Sequence, residues 1–238
     1  DPSVVLGDIN NDGWRDILIL GSGSNILYRN NLGITFPVVL GLPSLGLQHG
    51  AAGFADVDRD GDLDVVRAGQ DGGGARRLVV HRNNWVTGVL SPTFTQIQEP
   101  MGAGLGVQDP ALALADVDRD GDPDLVVSGY DGANPRLLVF RNDGAAAGFV
   151  LVQEPLGANL GLRSGSVALG DVDRDGDLDL LAEGFDGASR RLLLFRNDQP
   201  SAGFALWQQP FGAGVGLSSG AVAVADVAND GALDFVAS

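Results

Sequence analysis

The sequence has no cysteine and no lysine. The first absence excludes disulfides, thiolate nucleophiles and zinc sites built on cysteine. It also withdraws the usual marker of a secreted chain, so compartment must be argued from elsewhere. The second leaves 15 arginines against 31 acidic residues, a formal net charge of −16. Nucleic acid and an anionic membrane surface would both repel such a chain. No apolar run approaches the roughly 18–20 residues that span a bilayer, so membrane insertion is not expected. Catalytic groups are scarce. The two histidines, His49 and His81, have no evident partner, and the serines of GSGS (21–24) sit in a turn rather than at the head of a helix. The expectation is a protein that is not an enzyme.

What is abundant is glycine, 36 residues spread evenly, and aspartate in one recurring string. DVDRDGDLD stands at 56–64 and again at 171–179, DVDRDGDPD at 116–124, and looser copies at 8–16 (DINNDGWRD) and 226–234 (DVANDGALD). Their first aspartates are 48, 60, 55 and 55 residues apart. Other features repeat in phase. A G-x-D-G turn follows three of the strings: GQDGG (69–73), GYDGA (129–133) and GFDGA (184–188). Next comes an apolar run ending in Arg-Asn: ILYRN (26–30), LVVHRN (78–83), LLVFRN (137–142) and LLLFRN (192–197). A segment of alternating character follows, FTQIQEP (94–100), FVLVQEP (149–155) or FALWQQP (204–210), and then a P-x-G-A-x-x-G link at 100–106, 155–161 and 210–216.

Each unit therefore holds four short runs rich in Val, Leu and Phe, separated by Gly, Asp, Asn and Pro, which is the signature of strands. A helix would need about 11 residues without a breaker, and no such stretch exists. Four antiparallel strands in a unit of roughly 40–60 residues is the pattern of a β-propeller blade. The expected fold is all-β, a propeller of four-stranded blades over residues 1–47, 48–107, 108–162 and 163–217, with a partial fifth at 218–238. Alanine and glycine recur in the first strands (AAGFAD, ALALAD, SVALGD, AVAVAD), as expected where blades converge. A blade that stops after two strands exposes an edge. The sequence thus reads as part of a larger propeller, with a further segment or a neighbouring chain completing the fifth blade.

In DVDRDGDLD the acids fall at positions 1, 3, 5 and 9, with glycine at 6. Oxygens two residues apart in a tight loop can converge on one centre, the glycine permits the turn, and a carbonyl at position 7 can complete the shell. An oxygen-only, crowded donor set suits Ca²⁺ better than Mg²⁺. Without a cation, such carboxylates would raise one another's pKa. An EF-hand also begins D-x-D-x-D-G, but it needs a glutamate at position 12 and flanking helices. Position 12 here is Ile19, Arg67, Val127, Ala182 or Ala237.

The five loops, set between apolar strands along essentially the whole chain, resemble the FG-GAP/VCBS repeat family, including the calcium-binding blades of integrin α-subunits. Phe211-Gly212-Ala213 retains that family's Phe-Gly. The resemblance implies Ca²⁺ in the loop joining the first two strands of each blade, and seven blades as the commonest total. The matching ligand positions are Asp8, Asn10, Asp12 and Asp16; Asp56, Asp58, Asp60 and Asp64; Asp116, Asp118, Asp120 and Asp124; Asp171, Asp173, Asp175 and Asp179; and Asp226, Asp230 and Asp234. Carbonyls of Trp14, Asp62, Asp122, Asp177 and Ala232 would fill position 7. Up to five ions are expected, with weaker binding where Asn10 replaces an acid and the weakest at the loop starting Asp226, where Ala228 offers no side-chain ligand.

An extracellular or cell-surface location follows, because loops of modest affinity saturate at millimolar calcium. The expected role is an adhesion, ligand-binding or structural module whose partner is an extracellular protein or glycan. A lectin-like propeller is the alternative, with Tyr130, Phe185, Trp85 and Trp207 as aromatic candidates, although aromatics more often pack cores. A polysaccharide-degrading domain stands behind it. Glu99 and Glu154 recur at one place in consecutive units and read as repeat structure. Arg29, Arg82, Arg141 and Arg196 are expected to pair with a loop carboxylate or cap a neighbouring strand rather than form a ligand-binding basic ring.

Overall fold

The computed structural model describes residues 3–21, 24–39, 41–86, 92–144, 148–158, 160–198, 203–210, 212 and 220–237. Most of the last glycine-rich link, including Phe211 and Ala213, lies outside them. Among the described residues there is no helix. β1 (Ser3–Gly7), β2 (Asp16–Gly21), β3 (Ser24–Tyr28) and β4 (Val38–Val39) form one sheet, and β5 (Gln48–Ala55), β6 (Asp64–Gln70), β7 (Arg76–Asn83) and β8 (Phe94–Gln98) a second. β9 (Gln108–Ala115), β10 (Asp124–Tyr130), β11 (Pro135–Asn142) and β12 (Phe149–Gln153) form a third, and β13 (Arg163–Gly170), β14 (Asp179–Phe185), β15 (Arg190–Asn197) and β16 (Phe204–Gln208) a fourth. β17 (Val222–Ala225) and β18 (Asp234–Ala237) pair alone. Strands lie in sequence order in every sheet and pair antiparallel. These are four blades of a β-propeller and the first half of a fifth. The chain gathers into two compact units, residues 1–108 with 142–150, and 109–141 with 151–238.

β2 alternates buried and half-buried residues, whereas the second strands of the next three blades do not. In β6, β10 and β14 every residue but the last is buried, so both faces are covered. The fourth strands are mostly exposed after a buried first phenylalanine, which accounts for their alternating polar character. In the first unit Leu18, Leu20, Leu27, Val39, Leu47 and Val65 make one core with Ile9. In the second, Val126, Leu137, Leu162, Leu180, Leu193 and Phe195 make another with Val117. Ile9 and Val117 are the second residues of acidic loops, so each of these loops is anchored by one apolar side chain driven into the core.

The first strands begin earlier than their apolar pattern predicts. β13 starts at Arg163 rather than Ser166, and a bulge lies between those two residues. β5 carries the same irregularity between Gln48 and Ala51. His49, Asp109 and Ser164 occupy the left-handed region at the equivalent points (φ 47°, 48° and 52°). A bulge breaks the period of two, so pattern reading stops there.

Outer strands are stapled through glutamine. Gln98 Nε2 donates to Phe149 O (2.8 Å) while its Oε1 accepts from Phe149 N (2.8 Å). Gln153 repeats this with Phe204 at 2.6 and 2.9 Å. Gly148 and Gly203, just before the stapled phenylalanines, have φ of +65° and +60°, and a Cβ there would meet the glutamine oxygen at 2.6 and 2.7 Å.

The second blade departs from its neighbours in one place. Arg67 and His81, both fully buried, stand where the third blade has Val127 and Phe140. Arg67 Nη2 donates to Pro43 O at 2.9 Å and lies 3.1 Å from His81 Nε2. Burial and then the Arg67 charge hold His81 down to about 3, so it is neutral and accepts from the guanidinium. Arg67 Nε and Nη1 make no hydrogen bond. A buried charge left short of partners is costly. The double variant Arg67→Val/His81→Phe is therefore expected to be about 1–2 kcal/mol more stable than the parent, read by urea denaturation at pH 7.

Candidate metal centre

Each acidic loop is built by its own side chains. The position-1 aspartate accepts the backbone N–H of glycine 6 through Oδ2 in all five copies, at 2.7–3.0 Å. The position-5 aspartate accepts the N–H of residue 7 through Oδ1, at 2.8–3.0 Å. These bonds wind the chain tightly enough to force two residues into the left-handed region. The glycines at position 6 have φ of 83–93°. Asn11, Arg59, Arg119, Arg174 and Asn229 at position 4 have φ of 52–64°. The glycine is thus a conformational requirement, whereas a position-4 arginine holds an unfavourable conformation because the surrounding hydrogen bonds fix it.

The position-9 aspartate opens the second strand and is fully buried in the four complete blades. Its Oδ2 accepts the N–H of residue 2 of its own loop, at 2.9–3.0 Å in all five copies. Its Oδ1 accepts the N–H of the asparagine that ends the third strand: Asn30 to Asp16 at 2.6 Å, Asn83 to Asp64 at 2.7 Å, Asn197 to Asp179 at 3.0 Å. Carboxylate oxygens from positions 1, 3 and 9 then converge. Asp56, Asp58 and Asp64 each place one within 4.8 Å of the others, as do Asp116, Asp118 and Asp124, and Asp171, Asp173 and Asp179. The position-5 aspartates Asp60, Asp120 and Asp175 lie outside these triads, with one oxygen turned to the backbone. In the first loop, Asn10 takes the place of the middle acid. In the fifth, Ala228 does, and Asp226, Asp230 and Asp234 accept from loop N–H groups, with Arg174 a further 3.8 Å from Asp230.

The triads fit a hard cation. All donors are oxygens. Asp58, with a side chain 9% exposed, keeps an Oδ1 that accepts no hydrogen bond. Asn10 Oδ1 and Asp171 Oδ1 are likewise buried and unbonded. Burial, and after it the neighbouring carboxylates Asp58 and Asp60, pushes Asp64 up to about 7 despite two backbone N–H bonds. Burial is also the first cause of the upward shifts of Asp16, Asp58, Asp118 and Asp179. A buried cluster of like charges held this way is stabilised by a positive ion.

Around the triads the Arg-Asn pairs divide their labour. Arg82 and Arg196 face the position-3 acids of their own loops, Asp58 and Asp173, each at 3.8 Å. The asparagines, whose part the sequence does not reveal, turn inward. Asn83 Nδ2 donates to Leu63 O (3.1 Å) in its own blade and to Ile9 O (2.8 Å) in the loop before it. Asn197 does the same with Leu178 O (3.2 Å) and Val117 O (2.9 Å), and Asn142 reaches Val57 O at 2.9 Å. The recurrence of Arg-Asn at one place in every unit was the visible signal.

At the other end of the blades, arginines bind the G-x-D-G aspartates. Arg136 joins Asp131 (2.7 Å) and Glu154 (3.0 Å). Arg77 joins Glu99 (2.6 Å) and Asp71 (3.6 Å). Arg191 joins Asp186 at 2.7 Å, with Gln209 at 3.3 Å where the other two have glutamate. Glu99 and Glu154 are thus repeat structure. Glu183 is fully buried on β14. Tyr130 and Phe185 both pack on the Arg163 guanidinium, 4.8 and 5.4 Å from the ring centres. Trp207 is 43% exposed and Trp85 half-buried. A cavity of about 390 Å³ opens beside Arg191, walled by Leu156, Leu160 and Leu193, with Asp186 and Gln209 at its polar side.

A sequence model of the FG-GAP-like repeat matches residues 8–67 and 116–182. Among solved structures, an Agrocybe aegerita lectin, described by its specific recognition of non-reducing terminal N-acetylglucosamine, shares the fold at a TM-score of 0.64 and 23% identity. The match covers 99% of this chain and 60% of the lectin, so the chain spans less than two thirds of that structure's length. A thermostable family-43 glycoside hydrolase aligns at a TM-score of 0.47 and 13% identity, over 94% of this chain and 78% of the hydrolase, too distant to carry an argument. No curated protein matches the chain.

The raised carboxylates set a pH dependence. An acid whose pKa is higher in the folded than in the unfolded state stabilises the fold below its unfolded value and loses that contribution as pH rises through the folded one. For Asp64 the window runs from the ordinary 3.8 to about 7. In chelator, the melting temperature is expected to fall across that window. With a divalent cation present the fall is expected to disappear, so the gap between the two melting curves widens with pH. Each kcal/mol of difference moves the midpoint by roughly 2–4 °C in a chain of this size.

Proposed function

The chain belongs to the FG-GAP-like repeat family, and from that premise we propose that it is an extracellular, calcium-binding β-propeller module that binds a surface ligand or stiffens a surface structure and carries out no catalysis. The observation that supports it most is the convergence of three carboxylates, one fully buried and two half-buried, in each of three loops. Asp56, Asp58 and Asp64 would hold one ion, Asp116, Asp118 and Asp124 a second, and Asp171, Asp173 and Asp179 a third, with Asp8, Asn10 and Asp16 a weaker fourth and the Asp226 loop the weakest. The ion supplies positive charge where the fold has collected negative. Binding free energy then adds to folding stability. Loops of this type fill at the calcium concentrations found outside cells. Among the described residues no helix is long and apolar enough to cross a membrane. Outside the loops, the carboxylates of Glu99, Glu154, Asp71, Asp131 and Asp186 are tied to arginine, which leaves them poorly placed for acid–base work.

A glycan is the ligand favoured by one specific observation. The cavity beside Arg191 joins an apolar wall of three leucines to a cluster of hydrogen-bond donors and acceptors, the combination that a sugar ring with one apolar face and a hydroxyl edge needs. The lectin that shares the fold recognises N-acetylglucosamine. Tyr130 and Phe185, already stacked on Arg163, are less suited to the task.

Two measurements test the proposal. Calorimetric titration is expected to show at least three bound calcium ions, and Asp118→Ala to remove one. Folded protein that takes up no calcium overturns the metal reading. A glycan and matrix-protein array, run in millimolar calcium and in EDTA, reads the ligand. Calcium-dependent sugar binding abolished by Arg191→Ala supports the glycan reading. Binding to matrix proteins alone replaces it with protein adhesion, and binding to neither assigns a structural role.

A further inference from the structure

The acidic loops are wired in neighbouring pairs, the first to the second and the third to the fourth, and the wires run through groups that touch the candidate ligands themselves. In the second and fourth blades the asparagine at the end of the third strand gives its backbone N–H to the position-9 carboxylate: Asn83 to Asp64 and Asn197 to Asp179. The same residue's Nδ2 spans two carbonyls, one at position 8 of its own loop and one at position 2 of the loop before it. That position-2 residue in turn gives its N–H to the position-9 carboxylate of its own loop: Ile9 to Asp16, Val57 to Asp64 and Val117 to Asp124, each at 2.9 Å. A continuous path therefore runs from Asp16 through Ile9 and Asn83 to Asp64, and on through Val57 to Asn142. An equivalent path runs from Asp124 through Val117 and Asn197 to Asp179. Asn83, Asn142 and Asn197 are all at most 1% exposed, so no water competes for these bonds.

A second strand of wiring lies on the surface. The left-handed residue at position 4 points its side chain at the next loop. Asn11 Nδ2 donates to Asp62 Oδ1 (2.8 Å) and Gly61 O (3.2 Å). Arg119 pairs with Asp177 at 2.8 Å, and Arg174 lies 3.8 Å from Asp230. Position 7, which Asp62 and Asp177 occupy, is the residue whose carbonyl is expected to face the ion. Position 4 therefore helps to fix the next loop's backbone.

From these contacts we infer that the first and second loops, and likewise the third and fourth, bind their cations cooperatively, with Asn83 and Asn197 as the positioning residues that transmit the coupling. The inference rests on the calcium reading above. A cation in one loop fixes the position-9 carboxylate and the residue-2 backbone bonded to it. That backbone carries the carbonyl on which the next blade's asparagine is seated. The asparagine then presents its N–H to the next position-9 carboxylate already oriented, so the second ion meets a loop that needs less ordering. Coupling between sites is reciprocal, and values of about 5–150-fold in affinity are typical. The fifth loop, with Ala228 at position 3 and only Arg174 reaching it among these contacts, gains less from its neighbour.

The test is a calcium titration of the full chain followed by amide NMR at Gly121 and Gly176, which report the third and fourth loops separately. The parent is expected to titrate with a Hill coefficient above 1. Asp118→Ala, which disables the third loop, is expected to weaken calcium at Gly176 by about five-fold or more. In an Asn197→Ser background, where the backbone N–H to Asp179 remains but the side chain no longer spans both carbonyls, Asp118→Ala is expected to weaken calcium at Gly176 by less than half as much as in the parent. Arg119→Ala, an exposed position that does not threaten folding, is expected to reduce the coupling in part. Independent titration of the two signals, or an undiminished effect of Asp118→Ala in both the Asn197→Ser and Arg119→Ala backgrounds, overturns the inference while leaving calcium binding intact. Absence of any calcium-dependent shift overturns the calcium reading and this inference together.

Discussion

One carboxylate holds each blade in shape. The position-9 aspartate is fully buried where it opens the second strand, and both its oxygens are spent on backbone N–H groups, one from the loop entry and one from the end of the third strand. Those two N–H groups belong to chain segments that a plain four-stranded ladder would leave unpaired, and buried backbone donors must find acceptors. The aspartate satisfies both and draws the loop down onto the strand ends. The same placement sets the electrostatic problem, because it buries a charge beside the acids at positions 1 and 3. Burial pushes Asp64 up to about 7, and a cation is the simplest remedy for such a cluster. The blade's hydrogen bonding and the electrostatic demand of its loop are thus two consequences of a single side chain.

The two ends of the blades are organised by opposite means. At the loop end, acids outnumber bases, and Arg82 and Arg196 approach their position-3 partners only to 3.8 Å. At the hairpin end the arginines close on their acids at 2.6–2.7 Å, and these pairs lock the G-x-D-G turn to the end of the fourth strand. Burial raises Asp131, but hydrogen bonds from Asn134 and Arg136 outweigh it and leave that carboxyl below its ordinary value. Asp131 is thus shifted down, whereas burial shifts Asp58, Asp64, Asp118 and Asp179 of the loops up. The exchange of glutamate for Gln209 beside Arg191 relaxes the hairpin-end pairing in the fourth blade alone, and the cavity lies there.

Much of the architecture was legible because the repeat imposed it several times over. Four apolar runs per unit, turns at fixed offsets and a phase that never slips left little room for any class but a stack of four-stranded sheets. The strand starts were not legible at the bulges. Ser164, His49 and Asp109 take left-handed conformations that no side-chain pattern announces. In the loops, spacing alone placed Asp60, Asp120 and Asp175 among the ligands with the same weight as their neighbours. The folded loop separates them, because an Oδ1 at position 5 caps the N–H of position 7 while positions 1, 3 and 9 converge.

The sequence by itself determined the unit, its number of strands, the acidity of its loops and the oxygen chemistry those loops offer, since each depends on residue type and local spacing. Tertiary structure decided which oxygens meet, which acids are neutralised by arginine, and how one loop touches the next. The contacts between loops join residues 50 to 85 positions apart, such as Asn142 and Val57 or Asn197 and Val117, brought together only when sheets pack. Asn197 and Asn134 are the same residue type in the sequence. Burial at the end of β15 makes the first a bridge between two loops, while the second serves a hairpin through its backbone alone.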